Sequence, residues 1–498
     1  MRVSLAQQAQ ELLGKNDVVI ITERVDDVAL LIGQMVTRGC VEVLDRHMPR
    51  HWKHRRVSWG WTAVIWLASI LTEGDHRKVS VEAYIKGMHN TLSHVSGQPI
   101  EPLDCRDDRL GHLLTHLSKP TYWHAIEQDV HACSLAVDDL SQDVMRCDAT
   151  TVSGAHAITD GGRVQFGHSK DDPTRPQSKV MLGALDPLGM PLATAVLSGA
   201  RADDGFYMPR IERIEARVPR TAWLFVGDWK MRALATRAYG AGRQHWYLSP
   251  LPLTGTTAAV MEAWRTEGLA QARDGRLEQS SRVNDRGQEE LVAEGYALTR
   301  TCGREAGTVP WSARVLVGRS PRHGARQAMG LEKRLTQAEQ QLVALTPARG
   351  RGKRQFTDEA TLLEASDHVR KAQRVDGLLR LEWEQHIERH THYVGRGRGS
   401  ATREQRVTET SRYHITRITR REDAIAALVR RFGWKAFVTN AAPPRLSLAA
   451  AMVCYRHEYH IERIFNRLKS RVHIAPLFVA RDDQIEGLTY VLTLGVRV

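Results

Sequence analysis

The chain has 498 residues, a formal net charge of +13 and a pI of about 9.6. This length exceeds what a single compact core supports, so we expect about two or three domains. The basic excess favours a polyanionic partner, most often nucleic acid, and 42% hydrophobic with 26% charged residues is typical of a globular rather than a disordered protein.

The sequence shows no signal for export or for membrane insertion. The six cysteines are scattered without a CxxC pair, which argues against a zinc module or a disulfide framework and fits a reducing cytoplasm. The first residues, Met1–Gln8, lack the apolar segment of a signal peptide. The longest apolar run, Trp61–Thr72, is too short to span a bilayer. We therefore expect a cytoplasmic, nucleoid-associated protein with no membrane partner.

Residues 1–140 are predicted to form a helical N-terminal domain. Apolar residues recur there with helical spacing in five segments: Val25–Arg38, Trp59–Thr72, Val81–Leu92, Arg109–Ser118 and Tyr122–Ser134. A basic helical domain can read DNA ends or form a dimer interface, and the sequence leaves both roles open.

Residues 141–250 alternate short apolar runs with helical patterns, which is typical of an α/β core. Strands are predicted at 143–147, 179–185, 191–197, 222–227 and 245–249. Helices are predicted at 204–217 and 230–241. The early strands lie close together in sequence and favour hairpins, whereas the later strand–helix alternation favours parallel pairing.

Residues 251–444 are predicted to form a mixed α/β insertion. Helices are predicted at His323–Leu345 and Asp358–Gln373, and strands at Ala313–Val317, Leu378–Glu384, Arg412–Thr419 and Ala436–Val438. Two Gly/Arg-rich segments, Arg349–Arg354 and Gly395–Gly399, are predicted to be loops. Arginine on a flexible backbone suits phosphate binding, and a merely solvated loop is an equal alternative.

Residues 445–498 contain one strongly patterned helix, Tyr455–Ser470. A continuous helix would place Tyr455, Glu462 and Lys469 on one stripe, seven residues apart, beside an apolar stripe that packs into a core. The polar stripe could hold a metal ion and a phosphate, although an amphipathic helix with a solvated charged face explains it as well.

Two aspartates follow apolar runs that are predicted to be strands. Asp148 ends Val144–Asp148, and Asp228 follows Ala222–Gly227. A carboxylate just past a buried strand is well placed for catalysis because the strand fixes its backbone. Such an aspartate is more often a turn residue or a helix cap, and Asp228 also precedes a predicted helix.

These residues together resemble the DDE transposases of bacterial insertion sequences. Asp148, Asp228 and Glu462 are similar to the three family carboxylates, and Tyr455, Glu462 and Lys469 match the signature helix, which also carries an arginine where this chain has Glu458. The stretches Phe166–Asp171, Lys179–Leu192 and Ser198–Asp204 also resemble the family, and Glu23–Asp27 with Leu71–Arg77 resembles a domain often fused ahead of it.

The resemblance implies a fold, a cofactor and a partner. The fold is an RNase H-like α/β catalytic core, with residues 251–444 inserted before the glutamate helix. The cofactor is a pair of Mg²⁺ ions, for which Mn²⁺ can substitute, held by Asp148, Asp228 and Glu462. The partner is double-stranded DNA, namely terminal inverted repeats and target DNA, bound by a homodimer across paired ends. Phosphate contacts are expected from Tyr455, Lys469, Lys170 and Arg463.

Three functions are compatible with this pattern. The first is a DDE transposase that cuts element ends and joins them to target DNA. The second is a DNA-binding protein derived from one, inactive because of Glu458 or because relatives continue beyond the position of Val498. The third and weakest is an RNase H-like nuclease acting on junctions or RNA–DNA hybrids. Within the insertion, Trp311 is a candidate for stacking on a displaced base, although a core position is the better interpretation.

Overall fold

The structure is a computed structural model that describes residues 22–49, 56–138, 140, 143–169, 172–201, 205, 207–215, 222–252, 256–283, 287–303, 309–348, 350, 352–353, 355–394 and 404–498. In this part of the chain, a nine-stranded sheet and a separate two-stranded sheet are accompanied by helices at both ends of the sequence. The predicted mixed α/β class is therefore confirmed.

The N-terminal part is helical, as predicted. Its helices are α1 (Val28–Thr37), α2 (Cys40–His47), α3 (Trp59–Glu73), α4 (Val81–Gly87), α5 (His89–Ser96), α6 (Asp107–Leu117) and α7 (Pro120–Asp138). Helix α3 is almost entirely buried because its apolar residues surround the helix axis; Ser58 caps its first turn and Gly74, in the left-handed conformation, ends it. The helix predicted over 81–92 is divided at Met88, next to Gly87, whose helix propensity is poor.

Five strands form the first part of the large sheet, and two helices lie between them in the chain. They are β1 (Val144–Ser153), β2 (Gln177–Leu185), β3 (Met190–Ser198), α8 (Tyr207–Glu215), β4 (Leu224–Gly227), α9 (Leu234–Gly242) and β5 (Trp246–Pro250). Their order in the sheet is β3-β2-β1-β4-β5. As expected, the early strands pair antiparallel as hairpins, and β1, β4 and β5 pair in parallel.

One strand end was predicted wrongly. Strand β1 continues beyond Asp148 to Ser153, so Asp148 lies within the strand. The extension forms because the residues after Asp148 pair with β2, for example Thr151 opposite Lys179, and because β-branched threonines suit a pleated surface. The parallel pairing with β4 nevertheless stops at Cys147, and Asp148 is the first residue beyond it.

Residues of the predicted insertion extend the same sheet. After α10 (Thr256–Arg273), β6 (Glu278–Val283), β7 (Glu289–Cys302) and β8 (Trp311–Arg319) follow, and β11 (Trp434–Thr439) comes later in the chain. Strand β11 pairs with β5 and β8, which gives the order β5-β11-β8-β7-β6 in antiparallel register. Part of 251–444 is therefore continuous with the strands that carry the aspartates.

The remaining part of 251–444 has its own small apolar cluster. It consists of α11 (Pro321–Leu345), α12 (Glu359–Ala372), β9 (Leu379–Tyr393), β10 (Gln405–Arg420) and α13 (Glu422–Arg430). We call the two-stranded sheet of β9 and β10 the arm. Buried leucines attach its base to α11, whereas its outer residues are exposed. The Gly/Arg-rich segment Gly395–Gly399 lies outside the described residues, as do Arg349, Arg351 and Arg354.

The C-terminal helices join the two ends of the chain. They are α14 (Leu448–Arg456), α15 (Tyr459–Ser470) and α16 (Asp482–Gly495). Helices α15 and α16 share one core with α1 to α7, in which Trp123 stacks on Tyr490 with ring centroids 4.2 Å apart. Within the described residues, no helix combines the length and the apolarity needed to cross a bilayer.

Candidate active site

Two aspartates lie side by side where the parallel part of the sheet ends. Cys147 of β1 pairs with Gly227 of β4, so Asp148 and Asp228 are the next residues along these two neighbouring strands; β4 ends there, whereas β1 continues beside β2. Neighbouring strands lie about 4.8 Å apart. Both side chains are half-buried. The structure thus brings together two of the three carboxylates predicted from sequence.

The position of Asp228 is fixed by hydrogen bonds on one side of its carboxylate. Its Oδ1 accepts a hydrogen bond from the Tyr207 hydroxyl at 2.6 Å and another from the Lys230 backbone N–H at 3.0 Å. The second bond caps the short 3₁₀ helix Trp229–Arg232, so the capping role that the sequence left open is present. Burial raises the pKa of Tyr207, and the charges of Asp228 and Asp148 raise it further, so Tyr207 remains a protonated donor.

The predicted signature helix is interrupted. Helix α14 ends at Arg456 and α15 begins at Tyr459, so Tyr455 and Glu462 do not belong to one continuous helix. At the break, the Cys454 carbonyl accepts a hydrogen bond at 2.8 Å from Nη2 of Arg146, a residue distant in sequence. The Glu458 backbone N–H bonds instead to the carbonyl of Tyr455, three residues earlier, which tightens the turn. The apolar stripe of α15 is buried as predicted.

Glu458 lies nearer the aspartates than the sequence pattern implied. Asp148, Tyr455 and Glu458 line one small cleft at the end of the parallel strands. Burial raises the pKa of the Glu458 carboxyl, the hydrogen bond with Tyr455 lowers it, and the charges of Glu462 and Asp228 raise it again. Glu462 is exposed on the first turn of α15. The structure therefore places Glu458 beside the aspartate pair, whereas Glu462 neighbours Glu458 and does not line the cleft.

A buried ion pair holds this helical segment against the sheet. Arg146, two residues before Asp148 on β1, donates from Nε and Nη2 to the Asp186 carboxylate at 2.6 and 2.5 Å. His460 of α15 contacts the same carboxylate, with Nδ1 3.0 Å from Oδ1. The Arg146 side chain is only 2% exposed. The strand that carries Asp148 and the helix that carries Glu462 are thus joined through Asp186.

A basic groove adjoins the carboxylates. Its charged and aromatic lining includes Arg322, His323, Arg326, Lys435 and Arg456, one acidic side chain, Glu290, and Tyr455 and Tyr459. Lys435 Nζ lies 5.6 Å from the centre of the Tyr455 ring, so the positive groove and the acidic cleft meet at this tyrosine. Cationic side chains in a concave surface attract phosphates. The arrangement can therefore bind a polyanion next to a carboxylate cluster.

The other predicted contact residues lie in different environments. Lys469 is half-buried and Arg463 is exposed, both on α15, whereas Lys170 lies outside the described residues. Trp311 packs against a core cluster, and its indole N–H donates to the Tyr247 hydroxyl at 3.0 Å. This placement favours a packing role for Trp311. Two aromatic side chains near the site are exposed: Trp229 at 45%, next to Asp228, and Tyr459 at 46%, in the basic groove.

Sequence reasoning missed Tyr207, Trp229 and Lys435. Trp229 could have been noticed because it directly follows Asp228, a candidate catalytic residue. Tyr207 and Lys435 carry no local signal, since each reaches the site only through the fold.

Comparisons with known proteins give little beyond this geometry. No protein-family model matches the chain, and no curated protein matches it. Among solved structures, it is similar to a piggyBac transposase, determined by cryo-EM as a synaptic complex with hairpin DNA, at a TM-score of 0.28 and 6% identity. The match covers 60% of this chain and 58% of that chain, less than two thirds of its length. At this level of similarity, function must be argued from the site.

Proposed function

We propose that this chain is a DDE transposase that cleaves DNA at element ends and transfers the strands into target DNA. The observation that carries the proposal is the adjacency of Asp148 and Asp228 at the end of the parallel pairing between β1 and β4. The strand order β3-β2-β1-β4-β5, with hairpins first and parallel strands afterwards, supports the RNase H-like core implied by the sequence resemblance.

The chemistry of the three predicted carboxylates suits a pair of divalent metal ions. Asp148, Asp228 and Glu462 offer hard carboxylate oxygens, which Mg²⁺ prefers and which Mn²⁺ also accepts. Burial raises the pKa of Tyr455, and the negative charges of Glu458, Asp228 and Asp148 raise it further. Cations placed among these carboxylates would offset that negative field. When bound, two such ions activate a water or a 3′-hydroxyl and stabilise the leaving oxygen.

The side chains of the chain itself orient the reactants. Tyr207 and the Lys230 backbone fix Asp228 through Oδ1. The Arg146–Asp186 pair fixes the helical segment that follows Tyr455. The basic groove holds the phosphate backbone of double-stranded DNA, and Lys469 contacts a further phosphate as a point charge. A homodimer across paired ends remains a prediction from the family resemblance.

The runner-up is a transposase-derived DNA-binding protein without catalytic activity. The observation that favours it is Glu458, which stands where the family has arginine and brings a fourth carboxylate to the site. An Mg²⁺-dependent cleavage assay separates the two functions. The substrate is DNA bearing the inverted repeats that flank the coding region. Cleavage supports the transposase, and DNA binding without cleavage supports the runner-up.

The two glutamates can be distinguished by substitution. We expect Glu462→Gln to lower the cleavage rate more than about a hundredfold because it removes a metal ligand, whereas Glu458→Gln keeps the rate within about tenfold. Burial raises the pKa of Glu458, so its ionised form is disfavoured in the folded chain. The free energy of unfolding of Glu458→Gln near neutral pH should therefore equal or exceed that of the wild type. The opposite order of cleavage rates would assign the third ligand to Glu458.

The basic groove gives a prediction about DNA affinity. We expect the double variant Arg322→Ala/Arg326→Ala to weaken DNA binding and to reduce the slope of log affinity against log salt by about one for each phosphate that the groove no longer binds. Arg481→Ala is the control, because this exposed arginine pairs with Asp483 and does not line the groove. Fluorescence anisotropy across a salt series measures both quantities. Equal slopes for the groove variant and the control would exclude the groove as a DNA-binding surface.

A further inference from the structure

We propose that the arm carries a transition-metal site formed by Glu384, His386 and His414. Among the described residues, these three form a group whose candidate ligand atoms all lie within 4.8 Å of one another. The two imidazole nitrogens and the carboxylate oxygen come from both strands of the arm. The site is separate from the aspartate pair, and the inference does not depend on the proposed transposase function.

The pairing of the two strands explains why the three side chains meet. Glu384 of β9 is directly opposite His414 of β10, and His386 follows two residues later on the same face. Directly opposite residues have Cβ atoms about 5 Å apart, and diagonal neighbours remain within reach of long side chains. The register is therefore sufficient to assemble the three donors.

The observed side-chain geometry is close to what one shared ion requires. The rings of His386 and His414 are stacked, with centroids 4.6 Å apart and planes 21° from parallel. His386 Nε2 lies 3.9 Å from Glu384 Oε2, too far for a hydrogen bond. Glu384 and His386 are exposed and His414 is half-exposed, so an ion could reach them from solvent.

The donor types select the class of metal. Imidazole nitrogen suits Zn²⁺, Ni²⁺ and Cu²⁺, whereas Mg²⁺ prefers oxygen ligands alone. Three protein ligands leave one position of a tetrahedral Zn²⁺ open for water. Arg412 faces the same side opposite His386, but its guanidinium donates to the Pro347 carbonyl at 3.1 Å, toward the loop after α11. The assignment is therefore a Zn²⁺-class ion.

The position of the site on the arm indicates that a bound ion would stabilise the pairing of β9 and β10. Leu379 and Leu381 at the base of β9 are buried against α11, and the indole N–H of Trp383 donates to Glu359 on α12. The metal cluster begins at the next residue of β9, and on β10 the loop after α11 contacts the arm at Arg412 and Tyr413, beside the cluster. A two-stranded sheet without a packed face is marginally stable in water. An ion bound by both strands would hold the exposed part of the arm in register.

The test is a Zn²⁺ titration of the full-length protein in excess Mg²⁺, which occupies the oxygen-ligand sites. We expect His386→Ala and His414→Ala each to lower the affinity for one equivalent of Zn²⁺ by at least about tenfold, because each variant loses a ligand. His392→Ala is the matched control, because it lies on the same face farther along the arm and leaves the three ligands intact. Circular dichroism checks that each variant folds.

Electron paramagnetic resonance of bound Cu²⁺ provides a second measurement. The wild type should show coupling to imidazole nitrogen, and the two ligand variants should each lose part of that coupling while His392→Ala retains it. Equal Zn²⁺ affinity in wild type, His386→Ala and His414→Ala would overturn the proposal. An equal loss in His392→Ala would overturn it as well, because the binding would then belong to histidines of the arm in general.

Discussion

Asp228→Asn is expected to abolish Mg²⁺-dependent DNA cleavage, with a loss greater than about a hundredfold, while DNA binding is retained. Asparagine can still accept the hydrogen bonds that Tyr207 and the Lys230 backbone give to Oδ1, so the cap and the local structure survive. What disappears is the negative charge that a divalent metal requires. The affinity for DNA does not depend on this charge, because it comes from many lysine and arginine contacts with phosphates. Parallel cleavage and binding assays on end-bearing DNA measure the two effects.

A second variant at Asp228 and a control variant elsewhere separate the effect of charge from that of structure. Asp228→Ala removes the cap as well as the charge, so it should be less stable than Asp228→Asn by about 1 kcal/mol and equally inactive. Asp274→Asn removes an exposed surface carboxylate that pairs only with Arg276 among the described ion pairs, and it should cleave normally. Residual Mg²⁺-dependent cleavage by both Asp228 variants would rule out Asp228 as a metal ligand.

Arg146→Met is expected to lower the free energy of unfolding by about 3–5 kcal/mol, because it leaves the Asp186 carboxylate buried without its arginine. The substitution also removes the hydrogen bond that Arg146 donates to the Cys454 carbonyl at the turn before α15. Cleavage should fall too, because the glutamates lose their fixed position relative to Asp148. Chemical denaturation measures the stability of the variant.

The size of this loss depends on burial, and two comparisons isolate that cause. Arg481→Met breaks an exposed pair with Asp483 and should change stability by about 1 kcal/mol or less. Arg146→Met/Asp186→Leu removes both charges and should recover part of the loss, since an apolar pair often replaces a buried ion pair without cost. Similar losses for Arg146→Met and Arg481→Met would contradict the assigned role of the buried pair.

Elements set by local periodicity could be predicted from sequence. The apolar residues Ile461, Ile464, Phe465 and Leu468 form the buried face of α15 because their spacing follows the helical repeat. Strands β2 and β3 were found because continuous apolar runs bounded by turn residues suit buried strands. The two aspartates were identified because both follow such runs, and their grouping in one site was an expectation from the family resemblance.

Features set by distant contacts could not be predicted. At the interruption between α14 and α15, Arg146, far away in sequence, bonds to the Cys454 carbonyl, and the helical pattern of residues 455–470 gives no sign of this contact. Strand β1 extends past Asp148 only because β2 is available as a partner. The pairing of β11 with β5 likewise joins strands that are far apart in sequence. Long-range pairing of this kind leaves little trace in local composition.

The adjacency of the carboxylates is tested most directly by a crystal structure of the wild-type protein with Mn²⁺ and end-bearing DNA, with the metal located by anomalous scattering. We predict two manganese peaks about 3.5–4 Å apart. Asp148 should bind both ions, Asp228 should bind one, and Glu462 should bind the other. Two results would contradict the proposed two-metal site. One is a map without a manganese peak at either aspartate, and the other is a map with manganese only at Glu384, His386 and His414 on the arm.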